Sequence, residues 1–132
     1  MPREPAQPSD AEWKVLNALW RGHPANARDL LGRLREQAWA YNTLKTLLAR
    51  MEEKGLVRAV KRGNVTWYAP AVHQRAAQRQ AVRTLIHRVF EGASGPLLAH
   101  LADDASLNAG DRKKLEAWIA EVERREAKRA GG

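Results

Sequence analysis

The chain has 132 residues, 44% hydrophobic and 29% charged, with 23 Lys and Arg against 15 Asp and Glu and no cysteine. That is enough apolar material for one or two small domains with a modest core, so a disordered chain is excluded, as are disulfides, thiolate catalysis and every cysteine-based metal site. The formal charge of +8 favours a polyanionic partner, while the lack of any apolar run near the roughly 20 residues of a membrane span, or of a signal-like segment after Met1, leads us to expect a cytoplasmic protein with no membrane partner.

Residues 1–8 hold three of the six prolines and read as a flexible lead-in. Ser9-Asp10-Ala11-Glu12 is a capping box, in which the serine oxygen accepts the backbone N–H three residues on and the glutamate reaches back. It opens a helix over 9–21, with Trp13, Leu16, Leu19 and Trp20 at helical spacing and Gly22-His23-Pro24 as its stop. Asn26, with Asp29 three residues later, starts a second helix that carries Ala27, Leu30, Leu31 and Leu34 on one stripe and ends near Arg35. A connection over 36–40 leads to a third helix, 41–54, with the stripe Leu44, Leu47, Leu48 and Met51, and Gly55 stands where a left-handed cap is wanted.

The period then changes from 3.6 to 2. Segments 56–62 and 65–69 are rich in β-branched and aromatic residues, Gly63-Asn64 between them is a hairpin signal, and Pro70 closes the second strand. Beyond it the pattern is helical: a long helix over 72–91, a break at 92–96, a short helix around 97–101, and a last one from about Asn108, expected to fray from Glu123 onward. The predicted fold class is mainly α with a small β-hairpin, a winged helix-turn-helix domain over 9–70 followed by a helical domain over 71–132. The second domain has few large apolar residues for a core of its own. A second copy of the segment would supply the missing partner, so Val82, Leu85, Ile86, Val89, Phe90, Leu97, Leu98, Leu101, Trp118, Ile119 and Val122 are expected to form a homodimer interface.

At 100° per residue, the apolar stripe of the third helix leaves Asn42, Thr46 and Ala49 pointing away from it, flanked by Lys45 on one side and Thr43 and Arg50 on the other. A face that is small and polar at its centre and basic at its edges suits the DNA major groove. Asn42 can pair with adenine, Thr46 can meet a base or a thymine methyl, and Lys45 and Arg50 can reach guanine or phosphate. Residues 45–62 carry Lys45, Arg50, Lys54, Arg58, Lys61 and Arg62 against Glu52 and Glu53, and the hairpin's Arg58, Lys61 and Arg62 fall where backbone phosphates would lie. Ala40 is a poor N-cap, which leaves the first N–H groups of this helix to water, a neighbour or a phosphate oxygen. Trp13, Trp20, Trp39 and Trp67 fit core positions better than base-stacking platforms.

Asp10-Ala11-Glu12-Trp13 through Leu19-Trp20, the run from Trp39 to Met51 with its Trp-x-x-x-Thr-x-x-Thr spacing, Lys54-Gly55-Leu56-Val57 and Trp67-Tyr68-Ala69-Pro70 together resemble the penicillinase-repressor (BlaI/MecI) family of bacterial transcriptional regulators. The similarity runs from about Ser9 to Val122. It implies a homodimer on an inverted-repeat, double-stranded DNA operator, with Thr43, Lys45, Thr46 and Arg50 in operator contact. It further implies inactivation by a membrane sensor-protease system that cuts an Asn-Phe bond in relatives. The aligned pair here is His100-Leu101, a departure that opens the way to a different inactivating partner or signal. A copper-responsive branch with a cysteine-rich metal site is excluded, because this chain has no cysteine.

His23, His73, His87 and His100 show no metal-binding spacing, the serines sit in no nucleophile elbow, and no glycine loop could cradle a phosphate. No enzyme, metal or cofactor is expected. The sequence reads as a sequence-specific DNA-binding repressor, with a winged-helix protein-interaction module and a non-specific DNA-binding protein as its rivals.

Overall fold

The computed structural model describes residues 7–104 and 106–131, and the side chains of 122, 126 and 129–131 fall outside that description. Most of the lead-in, residues 1–6, therefore lies outside the described residues, as does the side chain of the interface candidate Val122. The elements in chain order are α1 (Asp10–Arg21), β1 (Ala25–Asn26), α2 (Ala27–Arg33), a single 3-10 turn (Arg35–Gln37), α3 (Tyr41–Glu53), β2 (Val57–Arg62), β3 (Val65–Pro70), α4 (Gln74–Val89), α5 (Ser94–Ala102) and α6 (Ala109–Gly131). Contacts divide the chain into two compact units, Met1–Gln78 and Arg79–Gly132.

In the first unit both predicted capping boxes form. Glu12 N–H donates to Ser9 Oγ while Ser9 N–H donates to Glu12 Oε1, and Asn26 and Asp29 exchange the same pair of bonds. The carboxyl end of α3 closes in a Schellman turn: Leu56 N–H donates to the Met51 carbonyl and Gly55 N–H to that of Glu52, with Gly55 at a φ of 77°. A side chain at Gly55 would have to adopt this left-handed backbone, which favours glycine. The turn brings buried Leu56 back onto buried Met51.

Val15, Leu16 and Leu19 of α1, Leu30 of α2, Leu44, Leu48 and Met51 of α3, and Val57 and Tyr68 of the sheet make one core. Leu47, expected among the buried residues, is only half-buried, because it lies at the edge of the stripe where α3 turns toward solvent.

The hairpin is part of a three-stranded antiparallel sheet in the order β1-β3-β2. Local patterning carries no sign of β1. Two residues cannot show a period of 2, and Asn26, which pairs with Trp67, doubles as the N-cap of α2. The register of β2 on β3 runs from Val57↔Pro70 to Arg62↔Val65, leaving Gly63-Asn64 as a two-residue turn with Gly63 at a φ of 63°. Trp13, Trp20 and Trp39 pack against the core, but Trp67 does not: its neighbour Tyr68 takes the inward position, so strand alternation turns Trp67 to the other face beside Val60. Helix α2 also ends two residues earlier than the periodicity predicts, and the 3-10 turn occupies part of the expected connection.

In the second unit α5 begins at Ser94, inside the predicted break, because Pro96 falls in its first turn, where a missing N–H costs no helical bond. Helix α5 packs against α6. Arg112 fastens the connection between them, donating to the carbonyls of Ala102 and Asp104. Asn108 caps α6 by accepting the N–H of Asp111 at 2.8 Å, and the helix is continuous past Glu123 to Gly131. The only buried apolar residue described in this unit is Leu115.

One ionic contact joins the beginning of α1 to the end of α3. Glu12 is fully buried, and its Oε1 accepts from Lys54 Nζ at 2.7 Å as well as from Ser9 N–H. Its Oε2 has no partner among the described residues. Burial pushes the carboxyl up, but the Lys54 hydrogen bond, the Ser9 N–H and the Lys54 charge together hold it below its ordinary value of 4.5. A depressed carboxylate stabilises the fold above the unfolded-state value, and that contribution is lost as pH falls through the folded-state value. Glu12→Gln is therefore expected to lower stability by about 1–3 kcal/mol near neutral pH, since Lys54 remains partly solvated. The difference from the wild type should shrink below pH 4.5 in denaturant melts; a difference that stays constant with pH would contradict this.

Candidate nucleic-acid interface

Burial of Leu44, Leu48 and Met51 fixes the rotation of α3 about its axis, and the opposite side is open. Asn42, Thr43, Thr46, Ala49 and Arg50 are all exposed. Sequence spacing and structure agree on this face. Beside it lies a cleft of about 420 Å³ lined by Ala11, Trp39, Asn42, Thr43, Thr46, Leu47 and Arg50, so the amino end of α1 and the chain before α3 form one wall of the same surface. Ala40 caps α3 without a side-chain hydrogen bond.

Lys45 differs from the other flanking residues. It is half-buried, and its Nζ donates to the Tyr68 hydroxyl at 3.1 Å while lying 5.7 Å from the Tyr68 ring centre. The hydrogen bond with Tyr68 outweighs partial burial and holds the ammonium above the ordinary lysine value. Tyr68 is a core residue of β3, so this contact ties α3 to the hairpin. An ammonium has three donors, which leaves two for an anion.

Sequence reasoning missed a second cleft, of about 170 Å³, lined by Asn26, Ala27, Arg28, Tyr41, Lys45, Asn64, Val65 and Thr66. Here the starts of α2 and α3 meet the tip of the hairpin. The Arg28 guanidinium carbon sits 5.8 Å from the Tyr41 ring centre. A basic residue opening one helix and an aromatic opening the next were visible signals, but nothing local joined them.

The hairpin loses its inside-outside contrast along its length. Val57 is buried and Ala59 half-buried, but Val60, Lys61 and Arg62 are all exposed, so the outer half projects from the body as a wing. Alternation puts Arg58 and Arg62 on one face and Lys61 on the other, so the structure does not bring these three together as a single patch.

Three helices whose last member presents a small polar face between basic flanks, followed by a projecting basic hairpin, define a winged helix-turn-helix, a class of nucleic-acid-binding module. The family description Penicillinase repressor matches residues 8–121. The chain is 30% identical over 110 residues to an uncharacterized 16.5 kDa protein in the ptsI 3' region of Latilactobacillus sakei, covering 83% of this chain and 75% of that one. It is 24% identical over 108 residues to the methicillin resistance regulatory protein MecI of Staphylococcus aureus, covering 81% and 88%. A solution structure of the DNA-binding domain of the repressor BlaI is 28% identical, covering 55% of this chain and 90% of that one, with a TM-score of 0.49. The chain belongs to the penicillinase repressor family, a family of DNA-binding transcriptional repressors and not of enzymes.

Tyr68→Phe tests the tie between helix and hairpin. Loss of one partly buried hydrogen bond is expected to cost about 0.5–1.5 kcal/mol in urea melts with an unchanged slope. A wild-type midpoint would show that the Lys45 contact contributes nothing.

Proposed function

We propose that this chain acts in the cytoplasm as a homodimeric repressor that reads an inverted-repeat operator with two copies of α3, set about one DNA turn or a small multiple of it apart. The observation that carries the reading is the outward face of α3: Asn42, Thr43, Thr46 and Ala49 are exposed, none is bulky or acidic, and Arg50 and Lys45 stand at its margins. The division of labour follows from chemistry. Asn42, Thr43, Thr46 and Ala49 meet base edges, Lys45, Arg50, Arg58, Lys61 and Arg62 meet phosphates, and the uncapped amino end of α3 accommodates a further phosphate oxygen. Among the described residues no helix is long and apolar enough to cross a membrane.

The homodimer reading is supported by what the second unit leaves uncovered. Val82, Leu85, Val89, Leu101 and Trp118 are exposed, the last at 61%, and Ile86, Phe90, Leu97, Leu98 and Ile119 are half-buried. On this reading residues 71–132 are the dimerisation domain and 9–70 the DNA-binding domain. A protease that cuts at the position of the relatives' cleaved bond would meet His100-Leu101. Both residues are exposed but lie within α5, and the His100 ring centre is 5.9 Å from that of Phe90, so this stretch would have to unwind before entering a protease cleft. A different inactivating partner fits this arrangement as well as a sensor protease does.

Selection from random DNA followed by gel shifts with unlabelled competitor tests the function. Thr46→Ala or Asn42→Ala is expected to weaken the selected site by about 1–3 kcal/mol more than random DNA, whereas Lys61→Ala should weaken both alike. Equal losses on both DNAs for all three variants would refute the assignment of roles. No shift at all would leave a protein-interaction module, and a shift that any competitor abolishes would leave a non-specific binder.

Assembly is tested separately by Leu85→Asp, which places a charge in the proposed interface. Sedimentation should show the mass halved and operator binding weakened; an unchanged mass would contradict the interface.

A further inference from the structure

We propose that the small cleft where the starts of α2 and α3 meet the hairpin tip seats one backbone phosphate of the bound duplex, with Arg28 as its main ligand and Tyr41 holding Arg28 in place; this rests on the DNA-binding reading above. The cleft holds about 170 Å³, below the roughly 300 Å³ at which pockets for drug-sized ligands begin, so it suits one small group. No carboxylate lines it, whereas Arg28, Tyr41, Lys45, Asn64 and Thr66 can each donate a hydrogen bond. The nearest acid in sequence, Asp29, is turned to the Asn26 N–H within its capping box.

Arg28 is exposed, and its guanidinium forms no hydrogen bond or ion pair among the described residues. The contact of its guanidinium carbon with the Tyr41 ring, 5.8 Å from the ring centre, places the cation without offering it an acceptor, so its five N–H donors remain for an anion. That planar fork matches two oxygens of a phosphate. Lys45 forms another wall: its Nζ donates to the Tyr68 hydroxyl at 3.1 Å, which fixes where the ammonium stands and leaves two further donors. On the hairpin, Lys61 pairs with Thr66 and adds its charge on the sheet face that carries Tyr68. Two cations held beside aromatic rings at one small cleft make a site for a single anion.

A duplex brings an anion to this place. The major groove is about 12 Å wide and a helix with its side chains about 10–12 Å across, so a helix lying in the groove has a backbone strand against each flank. Tyr41 and Lys45 stand one turn apart on α3, between the buried stripe of Leu44 and Leu48 and the outward Asn42 and Thr46. Theirs is the flank that meets the hairpin, while Thr43 and Arg50 line the larger cleft on the other. The strand that passes between α3 and the hairpin would run over the small cleft. A phosphate seated there sets the depth and register of α3 without itself carrying sequence information.

The test uses the full chain and selected operators in which single phosphates are replaced, position by position, by uncharged methylphosphonates. For the wild type, one position in each half-site is expected to cost about tenfold in affinity through the loss of the Arg28 contact. Arg28→Gln should bind unmodified selected and random duplexes more weakly by a similar factor, with a log-log salt slope shallower by about 0.9 per protomer, and should be indifferent to the replacement at that one position. Tyr41→Leu keeps every charge and should shrink the penalty at the same position, with rescue by Tyr41→Phe. An Arg28→Gln profile that matches the wild type at every position overturns the proposal while leaving the operator reading intact, and a Tyr41→Leu profile that matches it overturns the positioning role of the ring. Saturable shifts of the Arg28 and Tyr41 amides with inorganic phosphate on the duplex-free chain, alongside an unchanged Arg28→Gln operator profile, would make the cleft a seat for a free anion and likewise overturn it. Failure of the wild type to bind any duplex overturns both readings.

Discussion

The burial of Leu44, Leu48 and Met51 is the constraint on which the rest of the first unit depends. Each buried apolar side chain of this kind stabilises by about 1.5–3 kcal/mol relative to exposure. Together they lock α3 against Leu16, Leu19 and Leu30, and turning it by one residue would swing the stripe through 100°. The locked rotation leaves the other side of the helix exposed. What occupies it, two threonines, an asparagine and an alanine, sets the chemistry the surface can perform.

Polar contacts then set where the locked helix begins and ends. At its carboxyl end the Schellman turn folds Leu56 back onto the core, and Lys54 reaches the buried Glu12, which is at once half of the α1 capping box and the anchor of an ion pair 42 residues away in sequence. Near its amino end Lys45 donates to the hydroxyl of Tyr68, which joins α3 to β3 of the hairpin. The exposed face of α3 is thus supported at both ends of the helix by contacts to other elements.

Much of this was legible in the sequence, because it is local. Periodicity and caps are encoded within a few residues, and so the helices, the hairpin turn and the outward positions 42, 43, 46, 49 and 50 could be read directly. What escaped was encoded across distance or in too few residues. β1 exists only through its pairing with β3. The bonds of Glu12 to Lys54 and of Lys45 to Tyr68 join residues that no local pattern connects. Trp67 looked like core because it is a tryptophan in an apolar strand, but Tyr68 holds the inward position, and strand alternation allows only one of two neighbours inside. In the second unit the apolar positions were legible as stripes, and their exposure in a single chain became visible only in the fold.

An amide-resolved titration of the isotope-labelled full chain with its selected operator duplex puts the central claim to the most direct test. The backbone amides of Asn42, Thr43, Thr46, Ala49 and Arg50 and the side-chain amide of Asn42 are expected to shift first and furthest, with the backbone amides of Leu44 and Leu48 following only weakly. Shifts that leave this face untouched and gather elsewhere on the chain would contradict its assignment as the surface that reads DNA.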